Sequence, residues 1–525
     1  MAPPVSADAM VETVSSIAAA PSIAPPNKTA SPISADAMFN AASAIAPPNK
    51  MSCTDVPAIS VVSNQTIRPA CPTSAPVGDL KLSVSDMPML SCHYIQKGLF
   101  FPPPPPGVPT SSLVSSLAAS LSRALGVFPA LAGRLVTLPD GTIVIRCDSN
   151  TAAVEFRHAL APSLSLRDFL VPDADVPTWL TKGLFPMDRT VSYDGHARPL
   201  ASFQATVLGG DGAVFIGVVA NHAVVDGTSF WHFFNTWAGM CRGGGALPVR
   251  EPPDFRRSFF GESAAVIRFP GGAGPAVTFD ADAPLRERVL HFSAAAIREL
   301  KAIANGWSRR TGFQDAAEVE GKLAHDDSKK VHGEISSFQS LCAHIWIAVT
   351  RARRTLPADA TTTFRMAVNC RHRLRPAISP VYFGNAIQSV ATTATVSELA
   401  SHGLGWAAAR LHATVAARDD AAIRRAAAEW EANPRCFPLG NPDGAALTMG
   451  SSPRFPMYDG NDFGWGRALA VRSGWANKFD GKMSAFPGRD GDDSVDVEVC
   501  LAPDTMACLL GDAEFLRYVS SSLAL

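Results

Sequence analysis

From about residue 58 onward, short apolar runs alternate with longer segments in which apolar residues recur every three or four positions. That mixture of periods predicts a mixed α/β protein. Residues 58–63 (AISVVS), 79–87 (DLKLSVSDM), 141–147 (GTIVIRC), 152–157 (AAVEFR) and 494–501 (SVDVEVCL) read as strands. Leu113, Leu117, Leu121 and Leu125 trace one face of a helix, with Thr110 or Ser111 placed to cap it. Further helices are predicted over 337–353, 395–417 and 419–432. Residues 213–220 (AVFIGVVA) form an unbroken apolar run, which suits a strand buried on both faces. The polar cluster 221–229 ends that strand. Phe230, Phe233, Phe234 and Trp237 then follow at helical spacing, with Thr228 or Ser229 as cap.

The segments without periodicity divide the chain. Residues 1–57 are rich in Ala, Pro and Ser, and the words SADAM (6–10, 34–38) and IAPPNK (23–28, 45–50) each occur twice at unequal spacing. Such composition buries too little apolar area to offset chain entropy, so a disordered extension is expected. The first arginine is Arg68, which argues against a transit peptide, and Met51 opens a stretch resembling a natural start. Pro102–Pro106 predicts a stiff extended surface loop. Residues 242–285, rich in Gly, Pro and Ala, read as a long crossover, and the polar stretch 311–335 as an exposed loop. The expected layout is an extension (1–57), an N-terminal domain (58–241), the crossover (242–285) and a C-terminal domain (286–525).

Composition removes several function classes. The formal net charge is −1 with no long basic run, against a nucleic-acid surface or strong attraction to anionic lipid. No apolar stretch is long enough to span a bilayer. The ten cysteines are scattered without a CxxC pair, which supplies neither a zinc site nor a disulfide framework and favours a reducing compartment.

The candidate chemistry lies in VVANHAVVDGTSF (218–230). His222 sits at the tip of the buried strand, with Asp226 four residues on. With twelve histidines in the chain, that spacing alone does not separate a metal pair from a base with its orienter or from chance. A metal needs further ligands, and no His/Cys/Asp/Glu cluster lies nearby in sequence. A hydrolase triad needs a nucleophile, and no GxSxG elbow occurs. What remains is a histidine that takes a proton from a substrate. His232 and His344, on predicted helices, are expected to be packed or hydrogen-bonded, and His93 has no assigned role.

A second motif decides between these. Asp462-Phe463-Gly464-Trp465-Gly466 lies some 240 residues downstream and by itself reads as a tight glycine-rich turn anchored by two aromatics. HxxxDG followed by DFGWG resembles the plant BAHD acyltransferases, as do SSFQSLCAHIW (336–346), NCRHRLRP (369–376) and YFGN (382–385). The likeness runs from about residue 58 to the end. HYIQKGLFF (93–101), GSSPRF (450–455) and VRSGWANKFDGKM (471–483) are most similar to a subgroup that holds a cuticle acyltransferase and acetyltransferases of unknown substrate. The resemblance implies two similar-sized mixed α/β domains of the CoA-dependent acyltransferase type, joined by a long crossover loop, with a channel between them. It implies acyl transfer from acyl-CoA, a co-substrate, to a hydroxyl or amine of a small-molecule acceptor, with no bound metal, by a cytoplasmic monomer. His222 would be the general base. Asp226 would hold the loop by pairing with an arginine, Arg371 or Arg373, and Asp462–Gly466 would be structural. Many hydroxycinnamoyl transferases carry Thr-Ser-Trp where this chain reads Gly450-Ser451-Ser452. Ser452 or a backbone N–H must then serve as oxyanion donor, and Arg454 could contact an acidic acceptor. Two alternatives stay open from sequence: a metabolite-binding protein on the same fold, and a lyase using the same pocket.

Overall fold

The computed structural model describes residues 59–520 apart from 71–77, 149–151, 245–250, 258, 262, 270–273, 312–332 and 492. The expectations for residues 1–57, and for most of 311–335, fall outside the described residues. Within them, two six-stranded sheets and a three-stranded one carry the fold.

The first large sheet runs in the order Ser60–Ile67, Val154–Ala161, Ala201–Leu208, Val214–Ala220, Ile95–Phe101, Ala470–Ser473. Only Val154–Ala161 and Ala201–Leu208 pair in parallel; the other neighbours are antiparallel. All of Val214–Ala220 is buried, as its apolar run requires. One face packs against the helices Thr110–Val127 and Gly227–Arg242, and the other against a second cluster that includes Phe100, Phe169, Leu184 and Phe215. The last strand comes from near the chain's C-terminus yet completes this sheet, pairing Val471 with Leu99.

The second sheet runs Ile387–Thr395, Thr361–Asn369, Ala446–Met449, Lys482–Pro487, Val495–Leu501, Arg286–Phe292. The helices Ala294–Thr311, Ser337–Ala352 and Val396–Ala416 pack together and close its core. Ser336 caps the second of these reciprocally with Gln339, and Thr395 caps the third with Glu398. Residues 251–285 carry no helix or strand where described, in keeping with their lack of periodicity.

Three local expectations need correction. The strand expected over 79–87 is confined to Leu80–Lys81. Leu82 and Val84 are buried as the alternation suggested, but the Asp86 carboxylate accepts from both N–H and O–H of Ser83 and folds the chain into a turn. The helix at Thr110 has Pro109 at its cap position with no side-chain cap, because proline's fixed φ already suits the entry. The helix after His222 is capped neither by Thr228 nor by Ser229 but by Asp226, whose Oδ1 accepts from Ser229 N at 2.9 Å. The Ser229 hydroxyl is directed elsewhere, to the carbonyls of Tyr382 and Gly384.

Candidate active site

His222 occupies the first turn after the buried strand Val214–Ala220, and its backbone is held at both ends. Its N–H donates to Ser192 Oγ at 3.1 Å and its carbonyl accepts from Asn385 Nδ2 at 2.8 Å. Asn221 fixes the approach, donating to the Ser192 carbonyl at 2.7 Å and accepting from Ala223 N at 2.9 Å. The imidazole itself is held much less tightly. Nδ1 is buried without a hydrogen-bond partner of good geometry, and the ring lines a cavity of about 900 Å³. Burial holds the His222 pKa below the ordinary 6.5, with Lys482 acting in the same direction against the weaker opposing pull of its own carbonyl, Asp226 and Asn385.

Asp226 is fully buried and turned away from the cavity. Arg371 clamps it with both terminal nitrogens, at 2.7 and 3.0 Å, and Ala386 N donates to it at 3.1 Å. Arg371 also donates to the carbonyls of Tyr382 and Gly384. Burial alone would raise the Asp226 carboxyl, but Arg371 and the backbone donors hold it below its ordinary value. Arg373 is not the partner: its Nη1 donates to the carbonyls of Val415 and Arg418 at the C-terminal end of a helix. A second buried ion pair supports the first. Asp86 pairs with Arg257 from the crossover and accepts from Asn385 through both its backbone N–H, at 2.8 Å, and its amide, at 3.0 Å. Residues from four distant stretches thus converge on the peptide that carries His222.

The DFGWG turn stands apart from the cavity. Asp462 Oδ1 accepts from Gly464 N at 2.8 Å and Gly466 N at 3.0 Å, and both glycines adopt positive φ, which the turn demands. Phe463 packs edge-on against Trp237 at 4.9 Å and Phe101 at 5.5 Å. The turn therefore braces the aromatic face of the helix that Asp226 caps. Gly450, Ser451 and Ser452 line the cavity, as do Arg373 and the exposed Arg454. Ser452 Oγ accepts from Arg454 N at 3.2 Å.

Sequence reasoning missed Asp86, Ser192, Asn221, Arg257 and Asn385. Asn385 stood inside YFGN, a segment already singled out. Nothing in the local sequence of Asp86 or Arg257 marks either as half of an ion pair. His232 and His344 are placed as expected, each with Nε2 on a carbonyl, of Glu251 and Phe515 respectively. His93 interlocks with Asn477 through three hydrogen bonds.

His222 shares the cavity wall with His232, His372 and His412, and is distinguished by the buried Asp226–Arg371 pair behind it, in a fold built on two mixed sheets. Residues 58–516 match the model of the transferase family. The chain is 33% identical over 472 residues to an uncharacterized acetyltransferase of Arabidopsis thaliana, spanning 87% of this chain and 99% of that one. It is 32% identical over 475 residues to the BAHD acyltransferase DCR of the same plant, spanning 87% and 92%. Among solved structures, TRI101 of F. sporotrichioides, complexed with coenzyme A and T-2, superposes with a TM-score of 0.64 at 20% identity, over 84% of this chain and 99% of that one. The chain belongs to the BAHD acyltransferases of the transferase family.

Proposed function

We propose that this protein moves an acyl group from an acyl-CoA to a hydroxyl or amine of a small-molecule acceptor, with His222 as the general base. The observation that carries this is the contrast within the motif: the His222 peptide is pinned while its ring lines the cavity. The cavity takes its wall from both halves of the chain, 58–241 and 286–525, in keeping with a channel between two domains. Nδ1 is buried, which leaves Nε2 as the nitrogen for substrate. It takes the acceptor's proton as that oxygen or nitrogen attacks the thioester carbonyl. The tetrahedral intermediate collapses, the carbon–sulfur bond breaks, and the imidazolium returns the proton to the departing thiolate, giving free coenzyme A. The lowered pKa keeps the ring neutral and ready at neutral pH. Ser452 and the backbone around it supply donors for the oxyanion. Asp226 is a positioning residue.

The test is to incubate the pure protein with a panel of acyl-CoAs and acceptor pools while following free thiol. Thiol release that depends on acceptor and disappears in His222→Ala is expected. Absence of release with every pool, or an unchanged rate in the variant, sinks the proposal.

A further inference from the structure

One wall of the cavity carries ionic groups that proton transfer by His222 does not use. Lys97, Lys478, Lys482 and Glu498 line it, with Glu287 behind them. Lys478 serves both carboxylates, with Nζ 2.6 Å from Glu287 and 3.7 Å from Glu498. Among the described residues Lys97 has only hydroxyls as hydrogen-bond partners, Ser473 and, at 3.4 Å, Ser484, with the Phe486 ring 4.8 Å away. Lys482 Nζ makes neither a hydrogen bond nor an ion pair with any described residue. Three lysines thus share two carboxylates, and only Lys478 among them makes an ion pair with either, which leaves cationic capacity on this wall for an incoming anion.

The sequence makes room for the unpaired ammonium. A Cβ at position 450 would lie 1.9 Å from Lys482 Nζ, so only glycine there lets the amine occupy that space. Lys482, Lys97 and His222 line the same cavity. Burial pulls Lys97 down to about 8, which still leaves it mostly protonated at pH 7. The phosphates of coenzyme A sit at the far end of the pantetheine arm, so an anion beside His222 belongs to the acyl group or to the acceptor.

We propose that Lys97 and Lys482 form a subsite for a carboxylate carried by one of the two substrates, beside the reacting centre. This rests on acyl transfer by His222. The carboxylate has two possible sources, a dicarboxylic acyl-CoA or a hydroxy- or amino-acid acceptor.

Matched pairs separate them: succinyl-CoA against butyryl-CoA, and free-acid acceptors against their methyl esters, with thiol release followed in the wild type, Lys97→Met, Lys482→Met and Gly450→Ala. A preference of roughly 10- to 100-fold for the carboxylated member of one pair is expected, as for a charge-assisted contact in a buried site. All three variants should bring it close to parity, and the pair that responds names the source. Gly450→Ala keeps both lysines and displaces one, so it guards against a lysine variant that misfolds. No preference in the wild type, or equal losses on charged and uncharged members, overturns the subsite. If no thiol appears in any arm, acyl transfer falls by itself, and calorimetric titration with succinate and malate then decides the subsite. Binding weakened tenfold or more in Lys482→Met supports it. Absent binding, or binding indifferent to the substitution, refutes it.

Discussion

His222 and Asp226 stand four residues apart and occupy opposite kinds of surroundings. Asp226 accepts four hydrogen bonds, two of them from Arg371, which lies 145 residues away, and faces no open space. His222 has its main chain fixed and its Nδ1 unsatisfied, beside a cavity. One half of the motif is spent on rigidity so that the other can be reactive. The base role proposed for His222 asks for a group held in place without being occupied, and here the two demands fall on different residues.

That division is broken most severely at His222. His222→Ala should lower kcat/KM about 10²- to 10⁴-fold while leaving the thermal midpoint nearly unchanged, because the ring contributes little to the packed core. A loss of stability as large as the loss of rate would erase the contrast. Asp226→Ala should behave the other way. Removing one partner of a buried pair strands Arg371 and costs about 3–5 kcal/mol, measurable by urea unfolding. Adding Arg371→Met should recover part of it, and the double variant should keep more stability than the sum of the single losses predicts. Phe463→Leu probes the brace behind the helix. A near-isosteric change there should cost about 1 kcal/mol in unfolding and leave the pH profile alone, since none of residues 462–466 lines the cavity.

The smallest effect is in pH. With the His222 pKa held below 6.5 by burial, the ring is neutral at neutral pH, as the proposed base role requires. The rate should therefore be flat across neutrality and fall only on the acid side, with its midpoint below that of an unburied histidine. An acid limb at or above pH 6.5 would mean that the ring is hydrated or charge-stabilised in the working enzyme. Asp226 acts in the same direction on stability. Its folded pKa is depressed, so its contribution is present above the unfolded value of about 3.9 and is lost as pH falls through the lower folded value.

The position of His222 was legible because seven consecutive buried residues leave one possible reading for the strand, and the polar cluster after it marks where the strand must stop. The aromatic helix was legible for the same reason. The cap was not. Thr228, Ser229 and Asp226 are all competent acceptors, and only Arg371 and Ala386, brought in from another sheet, fix which one faces the helix. Arg371 and Arg373 likewise differ by two residues at the end of a strand, and the turn that follows sends one inward and the other to a helix terminus. The Asp86–Arg257 pair was invisible because it joins segments 171 residues apart with no periodic signal at either end. Local pattern reaches as far as the element, and long-range pairing of single charges lies beyond it.

The strand Ala470–Ser473 has a consequence for how the chain is made. It covers the open edge of Ile95–Phe101, a buried and hydrophobic strand of the first sheet. During synthesis that edge waits about 370 residues for its partner, roughly 20 to 75 s at ordinary ribosomal speeds. Unpaired backbone on a hydrophobic edge invites pairing with a neighbouring chain. The first sheet cannot be completed until nearly the whole chain is made, so chaperone supply should govern the yield of this protein more than its final stability does.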